Sequence, residues 1–151
     1  MSQSLSQIWL HIIFSTRNRE PFLPEKQVRE KVHGYLAGIC KEMKSPALMV
    51  GGIEDHVHIL CNQSKNLALK DLIQNLKQDS SKWIKREWPN LYSFYWQQGY
   101  GAFSVSPSHV DKVRHYIATQ EEHHRKIGFQ NEFRSFLERY QVPYDERYVW
   151  D

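Results

Sequence analysis

The order of patterned segments in this chain, strand, helix, strand, strand, helix, strand and then helices, predicts an α+β fold on the split βαβ, ferredoxin-like plan. Three observations carry that prediction. Short runs rich in β-branched and aromatic residues alternate with longer runs whose apolar residues recur at three-and-four spacing. Two of the short runs, "PALMVGGI" and "HVHILC", are separated only by Glu54 and Asp55, a tight turn, so they pair as a hairpin. With 151 residues, 40% of them hydrophobic, the chain has the size of one domain able to bury a substantial core. The expected sheet is mostly antiparallel, with helices packed on one face and a late helix that carries a tyrosine. A single domain is expected over 1–151, with its core at about 8–127 and a C-terminal helix and tail over 128–151.

Each element has its own justification. Ile8 to Phe14 is β-branched and aromatic and reads as the first strand, with Arg17 and Arg19 in the loop after it. Pro24 precedes a helix whose apolar residues are Val28, Val32, Tyr35, Leu36 and Ile39. After the hairpin, Asn66 is placed to cap a long helix burying Leu69, Leu72, Ile73, Leu76, Trp83 and Ile84. "SFYWQQGYGAFSVS" is aromatic and broken by Gly99 and Gly101, so a final strand or bent hairpin is expected there, with Trp96 and Tyr100 in the core. Ser106-Pro107 is a cap followed by a first-turn proline, and it opens a helix expected to run to Ile127 and stop at Gly128. A last helix carries Phe133, Phe136, Leu137 and Tyr140 on one stripe. The tail beyond it, with Tyr144, Tyr148 and Trp150, reads as a docking surface, a dimer interface being one use for it.

Net charge is +3 and unevenly spread. Residues 11–50 hold seven Lys/Arg against four Asp/Glu and residues 65–91 six against three, whereas 107–151 hold seven against eight. The bias suits an anionic partner without requiring one. Cys40 and Cys61 are not closely spaced and no secretory leader is legible, so two reduced thiols in the cytoplasm are expected. No apolar run approaches the roughly 20 residues that span a bilayer, and no nucleotide-binding glycine loop is present.

The chemistry begins at "DHVHIL". Side chains alternate along a strand, so His56 and His58 share a face while Val57 and Ile59 take the other. Two imidazoles side by side are either half a metal site or two polar groups on a solvated face. The pair should lie on a central strand, opposite the core or at the seam with the late helix. On that helix Tyr116 and Gln120 stand four apart, hence on one face, and offer a phenol beside an amide oxygen. Periodicity alone would make Tyr116 a core aromatic. A phenol of pKa about 10 is a poor nucleophile unless its target is polarised by a metal, a division of labour that suits phosphodiesters. Asp55 is placed either to orient a histidine or simply to make the turn. His11 reads as an ordinary sheet histidine. His123 and His124 are adjacent and point to different sides of a helix, so structural or surface roles are expected for both.

"DHVHIL", "LKQDSSKW", "WQQGYGAFSVS" and "VRHYIATQEEHH" follow one another as in the single-tyrosine HUH transposases of bacterial insertion sequences, the IS200-like family, near the REP-associated tyrosine transposases. The resemblance covers the chain from about Leu10 to the end of the late helix. It implies an enzyme that nicks and rejoins single-stranded DNA bearing a hairpin near the element end. Tyr116 would be the nucleophile, giving a 5′-phosphotyrosine. His56, His58 and Gln120 would hold Mg²⁺, with Mn²⁺ as a good substitute. It further implies a homodimer, with no membrane and no small-molecule substrate. Arg17, Arg19, Lys77, Ser80, Ser81 and Lys82 are the DNA-facing candidates, since a groove for single strands needs cations along the phosphates. A metal-dependent hydrolase without a covalent intermediate and a non-catalytic nucleic-acid-binding module are the competing readings.

Overall fold

A computed structural model describes residues 2–151. Strands β1 (Trp9–Ser15), β2 (Ala47–Ile53), β3 (His56–Asn62) and β4 (Gly101–Val105) form one sheet in the order β2-β3-β1-β4, with every neighbouring pair antiparallel. Helix α1 (Lys26–Glu42) crosses from β1 to β2, and α2 (Leu69–Glu87) from β3 to β4. This is the split βαβ order. The Glu54–Asp55 turn closes the β2–β3 hairpin, which sets His56 opposite Ile53 and His58 opposite Gly51.

Helices cover both faces of the sheet, not one as expected. Leu10, Ile12 and Phe14 of β1 and Val57, Ile59 and Cys61 of β3 face α1 and α2 in a dry layer with Val32, Leu36, Leu72, Leu76 and Ile84. The thiols of Cys40 and Cys61 are both free and buried in it. The alternate residues face α3 (Val110–Ala118) and α5 (Phe129–Arg139): Ile13 and Phe103 against Phe129, Phe133 and Leu137, and Leu60 and Val105 against Ile117. The His pair lies in this second layer, on a central strand.

Several local expectations are corrected. The long helix from Ser106 to Ile127 is broken: a 3₁₀ turn at Pro107–His109, then α3, then a kink at Thr119 (φ −109°, ψ 28°), then the single turn α4 (Gln120–His123). The Thr119 hydroxyl donates to the His115 carbonyl at 2.9 Å, beside the Thr119 amide, which donates to the same carbonyl at 3.1 Å. Neither Asn66 nor Ser106 caps a helix by its side chain; α2 starts after Ala68, and the Ser106 hydroxyl meets Ser108 and His109 instead. The glycine-broken aromatic stretch yields only β4, with Trp96 in an isolated bridge to Thr16. Trp96 is buried as expected, but Tyr100 is exposed. Trp150 turns back onto Phe129 and Phe133 of its own chain, and the Asp151 carbonyl accepts from the Gly99 amide. No helix among the described residues is long and apolar enough to cross a membrane.

Candidate metal centre and nucleophile

His56 and His58 project from β3 toward the α3–α5 layer and are 1% and 0% exposed. Each ring is held by a partner on its Nδ1. Asp55 Oδ1 lies 2.7 Å from His56 Nδ1, and His11 Nε2, on the neighbouring strand, lies 2.8 Å from His58 Nδ1. Asp55 therefore orients a histidine as well as making the turn, and His11 is no ordinary sheet residue. With both Nδ1 atoms engaged, both Nε2 atoms face inward, the arrangement by which outer partners aim metal-binding imidazoles.

Gln120 and Glu132 meet those nitrogens. Gln120 Oε1 is 3.0 Å from His56 Nε2, and Glu132 Oε1 is 2.9 Å from His58 Nε2 and 3.4 Å from His56 Nε2. The Gln120 amide donates to Glu132 Oε2 at 3.1 Å. The Tyr116 hydroxyl donates to the same Oε2. His123 stacks on the Tyr116 ring with centroids 4.4 Å apart, and Phe136 meets it edge-on at 5.7 Å, so the ring is held while its hydroxyl points into the cluster. A groove of about 790 Å³ opens onto Tyr116 and Glu132 between α3 and α5, with Lys112, Arg139 and Tyr140 on its walls.

Burial opposes charge on His56, but the hydrogen bonds and negative fields of Asp55 and Glu132 outweigh it and lift its pKa to about 9. Burial dominates at His58, only partly offset by Glu132, and leaves it at about 4. Burial first, then the neighbouring His58, likewise keeps His11 neutral. Glu132 is buried too, yet its bonds to His124, His56 and His58 hold it well below the usual carboxylate range. Burial, then the field of Glu132, pushes the Tyr116 phenol above its ordinary value. Two carboxylates favour the imidazolium at His56; His58 has one carboxylate and a second histidine beside it.

The donor atoms of His56, His58, His124 and Glu132 all lie within 4.8 Å of one another, close enough to share one ion. Imidazole nitrogens with a carboxylate and an amide oxygen suit Mn²⁺ or Mg²⁺, the nitrogens favouring Mn²⁺. The four are not equivalent. His124 Nε2 lies 3.0 Å from Gln120 Oε1 and 3.2 Å from Glu132 Oε2, but its Nδ1 is buried without a partner among the described residues. His124 thus lacks the outer bond that aims the other two rings.

The sequence-predicted residues thus divide. His56, His58, Tyr116 and Gln120 come together, although the kink puts Tyr116 and Gln120 on separate helical segments. His124, half-buried as a residue but with its side chain 4% exposed, joins the cluster, against the expectation of a merely structural or surface role, while His123 takes the other side of the turn as predicted. Glu132 was missed. Its one signal is a charge on the apolar stripe Phe129, Phe133, Phe136 and Leu137. The DNA-facing candidates scatter. Arg17 and Arg19 are exposed beside the turn that carries Asp55, whose carbonyl accepts from the Thr16 amide. Ser81 and Lys82 sit on α2, across the sheet from Tyr116, half-buried and exposed respectively. Two candidates have partners within the chain. Ser80 is fully buried, donating to the Leu76 carbonyl and accepting from the Trp96 indole. Lys77 gives its ammonium to the carbonyls of Gln97, Gln98 and Gly99, at 2.8, 3.1 and 2.6 Å.

Fold and site define a class first: an α+β domain whose central strand presents two histidines to a helix-borne tyrosine. Residues 4–120 match the family model described as transposase IS200 like, and the chain belongs to that family of DNA transposases. It is similar in fold to a crystal structure described as a candidate transposase from Deinococcus radiodurans R1, at 20% identity and TM-score 0.64, covering 80% of this chain and 98% of that one. It is also similar to a REP-associated tyrosine transposase solved bound to a REP hairpin, at 12% identity and TM-score 0.51, covering 80% of this chain and 70% of that one. No curated protein matches the chain.

Proposed function

We propose that this protein nicks and rejoins single-stranded DNA at hairpin-bearing element ends through a tyrosine-linked intermediate. One observation carries the reading: the Tyr116 hydroxyl and the Nε2 atoms of His56 and His58 meet at a single buried carboxylate, within one chain. The phenol oxygen attacks phosphorus, the bond to the 3′ oxygen breaks, and a 5′-phosphotyrosine and a free 3′-OH result. Attack by another 3′-OH on that ester reverses the step and joins strands, with no nucleotide cofactor needed. His56, His58 and Gln120 would hold Mg²⁺, or Mn²⁺ in its place, which when bound neutralises charge developing on the scissile phosphate.

The chain's own residues supply position. Stacking by His123 and the edge of Phe136 limits the phenol to one direction. Lys112 and Arg139 line the groove leading to Tyr116 and favour a phosphate backbone there, with Tyr140 offering a face to an unpaired base. Arg17 and Arg19 stand at the His56 end of the sheet and suit the hairpin stem. The REP-associated neighbour, solved with a hairpin, supports that partner. A homodimer fits the family, although one chain already brings Tyr116 to its own histidines.

The test is to incubate the full chain with Mn²⁺ and a pool of single-stranded oligonucleotides, each carrying a hairpin beside randomised unpaired flanks. A denaturing gel should show a mass-shifted protein with wild type and none with Tyr116→Phe. An adduct in both lanes would move the nucleophile elsewhere. Cleavage without any adduct would replace the reading by water-driven hydrolysis, and retention of DNA without cleavage by a binding module.

A further inference from the structure

We propose that Glu132 completes the catalytic machinery as a bridge, its Oε1 serving as a ligand to the cation of the histidine pair and its Oε2 receiving the Tyr116 proton. The inference rests on the reading of Tyr116 as nucleophile and goes beyond the family match, which ends at residue 120.

Geometry separates the two oxygens. Oε1 lies 2.9 Å from His58 Nε2 and 3.4 Å from His56 Nε2, close enough to share an ion with them as a donor additional to Gln120. Oε2 faces the other way and accepts from Tyr116, from the Gln120 amide at 3.1 Å and from His124 at 3.2 Å. A role in packing alone does not explain this side chain. It is 2% exposed on a helix whose neighbouring stripe is Phe129, Phe133, Phe136 and Leu137, where an apolar residue would cost nothing to bury. A buried carboxylate needs a cation. The imidazoles of His56 and His58 stand against its Oε1, and a divalent ion held there would supply that charge.

The chemical step balances. The Tyr116 O–H bond breaks and its proton passes to Glu132 Oε2, while the phenol oxygen's electron pair forms the bond to phosphorus. The bond to the 3′ oxygen breaks, and that oxygen leaves with the electron pair and takes a proton from solvent water. Between steps Glu132 loses that proton to solvent water and is again a carboxylate, and in the joining reaction the departing phenol oxygen takes a proton from water by way of Oε2. Because one side chain holds both the ion and the nucleophile, loading of the cation and aiming of Tyr116 become a single event. Helix α5, outside the split βαβ plan of strands and crossings, thereby carries catalysis.

The experiment pairs two readouts on the full-length protein, using Mn²⁺ alone and then Mn²⁺ with the hairpin pool. Glu132→Gln keeps the shape and loses the charge. It should weaken Mn²⁺ binding by about tenfold or more in a calorimetric titration. At saturating Mn²⁺ it should slow adduct formation by about 100-fold or more, the scale of a positioned general base. Formate added to Glu132→Ala should restore part of the adduct rate, which a structural role would not allow. Tyr116→Phe should bind Mn²⁺ as wild type does while forming no adduct. If Glu132→Gln stays within about twofold of wild type in both readouts, the proposal is overturned. Weakened Mn²⁺ binding with a normal saturated rate overturns the proton-acceptor half alone. Should wild type form no adduct with any oligonucleotide, the covalent reading fails together with that half, and the Mn²⁺ titration still decides the ligand half. If the variants fail to fold, wild type carrying ¹³C-carboxyl glutamate decides it: a direct ¹³C coupling to bound Mn²⁺ supports ligation, and its absence refutes it.

Discussion

The two faces of β3 are equally buried and chemically opposite. Val57, Ile59 and Cys61 are 1%, 0% and 0% exposed on the side of α1 and α2, and His56, His58 and Leu60 are 1%, 0% and 0% exposed on the side of α3 and α5. The first face is held by contact among apolar side chains, each replaceable by another of similar volume. The second is held by hydrogen bonds among groups that are costly to bury singly: removing one strands its partners. One strand therefore serves as the wall of a core and as the floor of a site. Burial by itself does not tell which is which; the partners do.

The contrast breaks most readily on the dry side. Phe14 is fully buried, with Trp96 edge-on at 4.9 Å. Phe14→Ala should cost about 3–5 kcal/mol by urea unfolding, the loss typical of a large core aromatic. It should leave the Mn²⁺ affinity of any protein that stays folded close to wild type. A large change in affinity would mean that the two faces are not separable.

On the wet side the expected effect comes from ligand and not from packing. Mn²⁺ at about 100 times its Kd should add about 2.7 kcal/mol to the unfolding free energy of wild type. His58→Ala, which leaves Glu132 Oε1 without its 2.9 Å partner, should abolish the increment. An unchanged increment in that variant would show the ion to bind elsewhere.

Gly51 joins the faces. It lies opposite His58 on β2, and a Cβ there would come within 2.5 Å of the Ile117 carbonyl oxygen and 2.9 Å of its Cγ2. Helix α3 can approach the sheet this closely only over a glycine. Gly51→Ala should cost about 1–3 kcal/mol by displacing α3, as overpacking does. Because Tyr116 is the residue before Ile117, it should also slow adduct formation more than it weakens Mn²⁺ binding. Equal losses in both would argue that α3 moves without re-aiming the tyrosine.

Much of this was legible in the sequence, for identifiable reasons. Period-two alternation put His56 and His58 on one face, and helical spacing put Tyr116 near Gln120, because both patterns are local. The order of elements gave a sheet plan that the structure bears out. What escaped was relational. An amphipathic stripe says that a helix buries one side, not which face of the sheet it meets, so the second helical layer was not foreseen. Glu132 lies 74 residues from His58 in sequence, and no spacing rule connects them. The kink at Thr119 is a local departure of the backbone, φ −109° and ψ 28°, which propensity alone does not reveal. Lys77 and Ser80 read as cations and small residues of an exposed face because their partners, the backbone at Gln97–Gly99 and the Trp96 indole, come from a distant loop.

The smallest effect concerns acid. His33 on α1 is held at about 4 by burial first, then by the positive charges of Arg29 and His56. Its pKa when unfolded is about 6.5, so between these values the unfolded chain binds the extra proton and the folded chain does not. Stability from this residue is therefore present above pH 6.5 and is lost as pH falls toward 4. His56 works in the opposite direction: lifted to about 9, it contributes stability below 6.5 that is lost as pH rises through 9. His33→Gln removes only the first of these slopes. Between pH 7 and 4.5 the variant should lose about 1–2 kcal/mol less than wild type, a value reduced from the full shift because the side chain is partly solvated. Parallel stability curves for the two proteins would mean that His33 is protonated as readily in the fold as out of it, and that the acid sensitivity of the molecule lies wholly on the face that carries the site.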